Sequence, residues 1–211
     1  MSFAIDTTVS LLRDALARPL PGAEAQYLMA PRPRRQWPQA AVVRDAVAVL
    51  LIYPVEGDAT IALTQRAPDL RSHAGQVSLP GGRLEPGEDY VTAALREAHE
   101  EVGADPAMVV PIGALTALPI PVSGHLLHPI VAASLTRPDF VPHDREVARL
   151  LEVPLAYLAS PESRTLRQWE FEGTPYTVPG FLVGDAFVWG ATAMVLAEFL
   201  AVMGIDVGDS L

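Results

Sequence analysis

Residues 82–104 are Gly-Arg-Leu-Glu-Pro-Gly-Glu-Asp-Tyr-Val-Thr-Ala-Ala-Leu-Arg-Glu-Ala-His-Glu-Glu-Val-Gly-Ala, the most informative segment of this chain. Its second half predicts a helix over 91–102, with Asp89 as the capping residue at its start and Gly103 as the terminator at its end. At about 100° per residue, the apolar side chains form one stripe that we expect to pack, and acidic side chains form a separate arc. The stripe contains Val91, Leu95, Ala98 and Val102, and the arc contains Glu97, Glu100 and Glu101.

Two interpretations fit an acidic helix face of this kind. Carboxylates three and four residues apart repel one another and destabilise a helix by roughly 0.2–0.5 kcal/mol per pair. A solvated face tolerates that cost, whereas a hard divalent cation offsets it, because Mg²⁺ binds carboxylate oxygens together with water and substrate phosphates. The glycines and the arginine that frame this helix favour the metal site.

The whole stretch resembles the signature of the Nudix hydrolase family, which combines glycines, glutamates and an Arg-Glu pair at fixed spacing. Ala98 and Ala104 stand where larger aliphatic residues are usual, a departure that affects packing more than chemistry. All seven invariant positions of the signature are matched, namely Gly82, Glu88, Arg96, Glu97, Glu100, Glu101 and Gly103.

This resemblance implies a fold and a set of site residues. The fold is an α/β/α sandwich, in which a mixed, partly antiparallel sheet lies between helices and the acidic helix packs through its apolar stripe. The resemblance also implies that Glu97, Glu100 and Glu101 hold Mg²⁺ or Mn²⁺ and that Arg96 orients a neighbouring carboxylate.

A second pattern lies upstream and resembles the signature of the coenzyme A diphosphatase branch of the family. It contains Arg66, Arg71, Gly75 and the run Leu79-Pro80-Gly81-Gly82 at the spacing of that signature. Ala62 and Leu79 replace the usual Leu and Phe, and both remain apolar. The stretches 146–147, 153–155 and 189–193 also look like that branch, so the resemblance covers roughly residues 46–200.

The upstream arginines make physical sense in a chain that binds a polyanion. Guanidinium groups form bidentate contacts with phosphates, and Arg66 and Arg71 lie beside the loop that leads to the acidic helix. The alternative is that they form structural salt bridges with glutamates of the loop or the helix. We favour ligand contact, and we expect Gly81 and Gly82 to let the backbone approach a phosphate or the metal.

These resemblances imply hydrolysis of the diphosphate linkage of coenzyme A or acyl-CoA to 3′,5′-ADP and (acyl-)4′-phosphopantetheine. The base that accepts the proton of the attacking water is either a glutamate of the acidic helix or a residue of a later loop, for which Glu146 is our candidate. Two alternatives stay open: hydrolysis of another nucleoside diphosphate derivative such as ADP-ribose, NADH or a nucleoside triphosphate, or a non-catalytic nucleotide-binding module.

Composition excludes several other classes of protein. Among 211 residues there are 15 basic residues, all of them Arg, against 25 acidic ones, for a net charge of −10. This charge disfavours broad binding to nucleic acid or anionic membranes, and the partner that the resemblance implies is a small nucleotide. The absence of cysteine rules out disulfides and thiolate metal sites.

Two stretches are apolar enough either to lie in the protein core or to span a membrane. Residues 106–136 lack Asp, Glu, Lys and Arg but contain prolines that favour short buried strands. Residues 187–205 contain Glu198 and lack a positive flank, which predicts a buried C-terminal helix over about 191–203. No secretory signal pattern is visible, and we expect a cytoplasmic protein.

The remaining segments complete the predicted organisation. An amphipathic helix over 6–17 and an extended, Pro/Arg-rich arm over 19–38 form an N-terminal part, 1–40, that packs on the domain 41–205, followed by a tail, 206–211. Hairpins are predicted around residues 56–58 and 173–174. Trp169, Phe171 and Tyr176 are candidates for stacking on a base, although their pattern favours sheet and core positions. The role of Arg32, Arg34 and Arg35 and the formation of a homodimer stay open.

Overall fold

The computed structural model describes residues 3–33, 44–69 and 74–208. The helices are α1 (Ile5–Leu16), α2 (Ala23–Gln26), α3 (Tyr90–Val102), α4 (Leu155–Ala159) and α5 (Gly190–Val202). The strands are β1 (Arg44–Val55), β2 (Asp58–Arg66), β3 (Val77–Ser78), β4 (Gly81–Arg83), β5 (Val110–Ala114), β6 (Leu118–Ile120), β7 (His125–Ala133), β8 (Val147–Pro154), β9 (Arg164–Phe171), β10 (Thr174–Val183) and β11 (Ala186–Trp189).

A mixed eight-stranded sheet forms the centre of the fold, in the order β3-β2-β1-β7-β5, with β4 beside β1, β6 beside β7 and β8 beside β2. Strand β1 pairs in parallel with β7 and antiparallel with β2 and β4. Strand β2 pairs with the end of β1, whereas β4 pairs with the beginning of β1 and β3 pairs with the end of β2. The two strands of the first hairpin, β1 and β2, therefore diverge around β3 and β4. This opening lies next to the acidic helix.

Helices cover both faces of the sheet, which confirms the predicted α/β/α sandwich. Alternate residues of β1 point to opposite faces, as in any strand. Val47, Val49 and Leu51 pack in the cluster that contains the alanines of α3. Leu50 and Ile52 pack in a second cluster with residues of α1 and α5.

Both predicted hairpins are confirmed. Glu56 and Gly57 have φ angles of 53° and 90°, and Glu172 and Gly173 have φ angles of 51° and 73°. Two consecutive residues with positive φ match the twist of the flanking strands, which is why such turns are common in hairpins. The second hairpin forms a separate three-stranded sheet with β11, in the order β11-β10-β9, which we call the small sheet.

Helix α3 begins and ends within one residue of the prediction. The Asp89 carboxylate accepts a hydrogen bond from the Thr92 N–H at 2.7 Å, and Gly103 ends the helix with φ 73°. The packing of Val91, however, was predicted wrongly, because this residue is 37% exposed. The helix lies on the sheet through small side chains, and its buried residues are Ala93, Ala94, Ala98, Glu101 and Val102.

The C-terminal helix is confirmed as α5, most of which is buried. In the part of the chain that the structure describes, no helix is long and apolar enough to span a bilayer. The Glu198 carboxylate is fully buried and accepts hydrogen bonds from the Gln26 side chain at 2.8 Å and from the N–H groups of Gly22 and Thr116, each at 3.2 Å.

The extended arm predicted over 19–38 is wrong for its described part. Residues 23–29 form α2 and a 3-10 turn, and Met29 is fully buried in the core. Hydrogen bonds to Glu198 and apolar burial hold this segment against α5. Arg34 and Arg35 lie outside the described residues, and the domain limits at 40 and 205 stay predictions.

Candidate functional site

Arg96 is the centre of a charged network on α3. Its guanidinium forms a bidentate contact with Glu88 at 2.9 and 3.0 Å and donates hydrogen bonds to Glu97 at 3.0 Å and to Glu100 at 3.1 Å. A further hydrogen bond at 3.1 Å goes to the Arg83 carbonyl. The hydrogen bonds from Arg96 hold the pKa of Glu88 below its usual range. Arg96 thereby fastens the loop before the helix to the acidic arc.

Glu97 lies against the backbone of β4. A Cβ atom at Gly82 would overlap the Glu97 carboxylate, and the Glu97 side chain is 15% exposed. Burial raises the pKa of this carboxyl, whereas the hydrogen bond from Arg96 lowers it. Gly82 is therefore required for space rather than for backbone freedom.

Glu101 is the most buried carboxylate of the arc, with 8% of its side chain exposed. It accepts a hydrogen bond from the Gly81 N–H at 3.2 Å, and the Arg66 guanidinium lies 4.0 Å away. Burial raises the pKa of Glu101 to about 7, because these two groups compensate its charge only in part. The Gly81 N–H thus already has a hydrogen-bond partner within the chain. So does the Pro80 carbonyl, which accepts a hydrogen bond from the Val49 N–H at 2.8 Å.

The three predicted metal ligands share one helix arc without meeting at a single point. Within residues 3–33, 44–69 and 74–208, no three aspartate, glutamate or histidine side chains form a metal-binding cluster. Glu100 is 57% exposed and turns toward Arg96. The donor set still suits a hard divalent cation, because all its atoms are carboxylate oxygens and the charge of Glu101 is incompletely compensated. The residues present therefore fit the predicted Mg²⁺ or Mn²⁺.

Arg66 ends β2 beside the acidic helix. The pairing of β2 with β8 shifts register between Gln65 and Arg66, and such bulges re-aim side chains. The Arg66 side chain is 26% exposed, and its buried Nε atom has no hydrogen-bond partner among the described residues. Arg66 thus forms one long ion pair, with Glu101, and its Nε–H donor has no acceptor among the described residues. Arg71, its predicted companion, lies outside the described residues.

Glu146 is brought to the site by a long loop fastened to the end of α3. The N–H groups of Val141 and His143 donate to the carbonyls of Val102 and Glu101 at 2.9 and 2.8 Å, and the Ala67 N–H donates to the Glu146 carbonyl at 2.9 Å. Burial is the main cause that raises the pKa values of Glu97 and Glu101, and repulsion from Glu146 raises both further. The fold therefore places Glu146 near the two buried carboxylates and beside Arg66.

Sequence reasoning missed a polar cluster at the start of α3. His128 and Asp45 form a hydrogen bond at 2.7 Å, and the Tyr90 ring stacks on the imidazole with ring centroids 3.8 Å apart. The available signal was the presence of Asp45 and His128 within otherwise apolar strands. Their pairing depends on the parallel register of β1 and β7, which the sequence does not show.

The three aromatic residues considered for stacking lie in the small sheet. Trp169, Phe171 and Tyr176 line a groove of about 560 Å³ together with Trp189. This space, which we call the apolar groove, is bounded by the small sheet, residues 118–122, the start of α5 and part of the N-terminal segment 27–33.

Comparison with known proteins places these observations in a family. The model of the NUDIX domain matches residues 42–171. Nudix hydrolase 15, mitochondrial, of Arabidopsis thaliana is 34% identical over 168 residues, which cover 75% of this chain and 58% of that protein. The chain thus spans less than two thirds of the length of this relative. The uncharacterized Nudix hydrolase NudL of Yersinia pestis is 36% identical over 150 residues, covering 71% of this chain and 75% of that protein.

The solved structures agree at the level of the fold. A Nudix hydrolase from M. smegmatis, RenU, superposes with a TM-score of 0.53 at 21% identity, covering 76% of this chain and 86% of that one. The matched domain model includes β1, β4 and α3 with the whole glutamate signature. From the domain match and the identity to NudL, the chain belongs to the Nudix hydrolase family.

Proposed function

We propose that the chain is a metal-dependent diphosphatase that hydrolyses coenzyme A or acyl-CoA to 3′,5′-ADP and (acyl-)4′-phosphopantetheine. The observation that carries the proposal is the position of Arg66, whose guanidinium lies 4.0 Å from the buried Glu101 of the acidic arc. Glu97 shares that arc, and the Glu146 backbone is fastened beside Arg66 by the hydrogen bond from the Ala67 N–H. Carboxylates beside an arginine suit a diphosphate that is bound together with a divalent cation.

The acidic arc would hold the cation that Nudix hydrolases generally use. Glu97, Glu100 and Glu101 provide the oxygen ligands, and their spacing keeps them on one side of α3. A divalent cation bound there supplies positive charge that neutralises the diphosphate and makes a water molecule more acidic. Arg96 holds Glu97 and Glu100 in position through its hydrogen bonds.

The remaining residues bind the substrate and accept the proton. Arg66 donates hydrogen bonds to the diphosphate, and Arg71 also binds it. Water attacks one phosphorus atom, the bond from that phosphorus to the bridging oxygen breaks, and the second phosphate leaves with that oxygen. Glu146 accepts the proton of the water, because it lies near the buried glutamates and is not one of the three predicted metal ligands.

The coenzyme A branch is supported by how the structure arranges the residues of the resemblance. Residues 189–192 adjoin the upstream pattern, since the Thr192 hydroxyl donates to the Val77 carbonyl of β3 at 3.2 Å. Val147 and Val153 of β8 pair with Arg66 and Ile61 of β2. Two parts of the branch pattern thus lie beside β2, and a third is bonded to β3, which pairs with β2.

Product analysis tests the proposal. Purified protein is mixed with Mg²⁺ or Mn²⁺ and, separately, with coenzyme A, ADP-ribose, NADH and dGTP, and products are identified by chromatography and mass spectrometry. We expect 3′,5′-ADP and 4′-phosphopantetheine to form fastest. Cleavage of another substrate but not of coenzyme A would contradict the branch assignment, and absence of any cleavage would favour a nucleotide-binding module.

Matched glutamate variants show whether the acidic helix is responsible. Glu97→Gln and Glu101→Gln should each lose most of the activity while they keep the fold, whereas Glu24→Gln, at an exposed position on α2, should retain it. Full activity in Glu97→Gln would show that Glu97 is not a required metal ligand. A cytoplasmic location stays a prediction, and the printed name of the Arabidopsis relative places that protein in mitochondria. The formation of a homodimer stays open.

A further inference from the structure

The apolar groove is a large concave surface that the proposed reaction does not use. Its volume is about 560 Å³, within the usual range for small-molecule sites. Trp169 and Trp189, which both line it, meet edge to face with ring centroids 4.4 Å apart. At its rim, Val122 and Phe171 are 59% and 51% exposed.

The lining chemistry selects against the phosphorylated parts of a nucleotide. Among the described residues around the groove, none is Arg or His, and Glu170 is the one acidic residue. A phosphate would therefore meet a carboxylate and no cation there. The aromatic rings, prolines and Met194 offer an apolar surface to an uncharged chain.

Paired strands of the central sheet connect the groove wall with the proposed active site. Leu118 at its wall pairs with Leu127, Leu127 with Ala46, and Ala46 with Arg83 of β4. Three strand spacings separate the groove wall from β4, or about 14 Å. On the other side, Ala191 at the start of α5 lines the groove, and its neighbour Thr192 is hydrogen-bonded to β3.

We propose that the apolar groove binds the aliphatic acyl arm of an acyl-CoA substrate and so determines chain-length preference. This inference rests on the proposed diphosphatase function. The phosphates lie at the arginine and glutamates beside β4. Because the groove lies on the α5 face of the sheet and α3 on the other face, the long, flexible pantetheine arm reaches the groove through the opening at β3 and β4. Val122, Phe171 and Trp169 are then specificity-determining residues that take no part in the cleavage step.

Kinetics with a series of acyl chains provide the first test. We measure kcat/KM for coenzyme A and for its acetyl, butanoyl, hexanoyl, octanoyl and dodecanoyl thioesters, all below their micelle concentrations. Each methylene buried in the groove should raise kcat/KM about fourfold until the groove is filled, because burial stabilises the bound chain. The gain should appear in KM rather than kcat, since the groove contacts the substrate before and during cleavage alike.

Variants at the rim assign the effect to the groove. Val122→Asp should lower kcat/KM for octanoyl-CoA at least about tenfold, because it brings a charge next to the chain. It should leave coenzyme A itself unchanged. Leu166→Asp is the matched control, because Leu166 is 45% exposed on β9 but does not line the groove.

A binding measurement without turnover gives a second readout. Trp169 and Trp189 report on the groove, so dodecanoyl-CoA added in EDTA should change tryptophan fluorescence, and the Val122→Asp variant should need a higher concentration for the same change. Coenzyme A without an acyl chain should leave the fluorescence unchanged.

The outcomes separate the two proposals. Cleavage of coenzyme A with no dependence on chain length would overturn the groove assignment and leave the diphosphatase proposal standing. Failure to cleave any coenzyme A compound would overturn the diphosphatase proposal and the groove assignment with it. A change of oligomeric state in Val122→Asp, without chain-length dependence in the wild type, would show that a second copy covers the groove and would also overturn the assignment.

Discussion

Gly81 and Gly82 in β4 leave room for other groups instead of permitting an unusual backbone. A Cβ atom at Gly81 would lie 2.7 Å from the Ala48 Cα atom, and one at Gly82 would lie 2.6 Å from the Glu97 Oε2 atom. Both distances are far below van der Waals contact. The two glycines thus let β4 approach both β1 and the acidic helix.

Gly82→Ala should lower kcat about 100-fold, because displacement of a reacting group by about 1 Å has effects of that size. The new methyl group forces the Glu97 carboxylate away from its present position. The measurement is steady-state kinetics with coenzyme A, with circular dichroism to confirm the fold.

Gly173→Ala provides the control for this substitution. Gly173 has φ 73° and no atom near its missing Cβ, so the variant costs stability by backbone strain, about 1 kcal/mol, and does not touch the site. If both variants lost activity equally, stability rather than the position of Glu97 would explain the effect of Gly82→Ala.

At the scale of elements, α3 is stabilised at its start by a group that titrates. The Thr92 N–H hydrogen bond to Asp89 lowers the pKa of this carboxyl below its usual value. A carboxyl with a lowered folded-state pKa stabilises the protein above its unfolded pKa, about 3.9. That contribution is lost as the pH falls through the folded-state value.

Asp89→Asn should keep the helix cap and remove its negative charge. Asparagine caps helices about as well as aspartate, so urea unfolding at pH 7 should be nearly unchanged. Below about pH 4, however, the variant should lose less stability than the wild type, because its cap does not take up a proton. Identical pH dependence in both proteins would show that Asp89 does not titrate as described. The exposed Asp14→Asn variant is the control for a change of charge alone.

At the scale of the whole molecule, Glu198 joins α5 to the N-terminal segment and to the connection between β5 and β6. Its carboxylate accepts hydrogen bonds from Gly22, Gln26 and Thr116, which come from two distant parts of the chain. A buried carboxylate of this kind is stable only where donors surround it.

Glu198→Leu should lower the free energy of unfolding by about 3 kcal/mol or more, because three buried donors lose their acceptor. Urea denaturation measures the change. Gln26→Leu removes the 2.8 Å hydrogen bond to Glu198 and a 2.9 Å hydrogen bond to the Thr116 carbonyl. It leaves the other two donors to Glu198 in place and should cost less, so it gives a usable value if Glu198→Leu does not fold. Wild-type stability in both variants would show that these hydrogen bonds do not hold the segment.

The acidic arc predicts that a divalent cation stabilises the folded molecule. At a concentration 100 times its dissociation constant, Mg²⁺ or Mn²⁺ should add about 2.7 kcal/mol, which raises Tm by about 5–10 °C in a chain of this size. Differential scanning fluorimetry with and without EDTA measures the shift. Glu97→Gln and Glu101→Gln should reduce it, and Glu24→Gln should keep it. An equal shift in all three variants would place the cation elsewhere.

Sequence patterns alone were enough to predict the hairpins, the limits of α3 and α5, the fold family and the residues of the acidic arc. These features depend on contacts between residues close in the chain, such as the Asp89 cap, the Gly103 terminator and the spacing of Glu97, Glu100 and Glu101. Capping, turn geometry and helical periodicity are local, so a single sequence contains them.

The contacts between residues distant in the sequence could not be predicted and are seen only in the folded chain. The approach of Arg66 and Glu146 to Glu101, the pairing of Asp45 with His128 and the burial of Glu198 against the N-terminal segment follow from strand register and loop anchoring. The exposure of Val91 has the same origin, since helical periodicity defines a stripe but the alanines that contact the sheet decide which side of it is buried. Such contacts depend on the summed packing of the whole chain, which no local pattern contains.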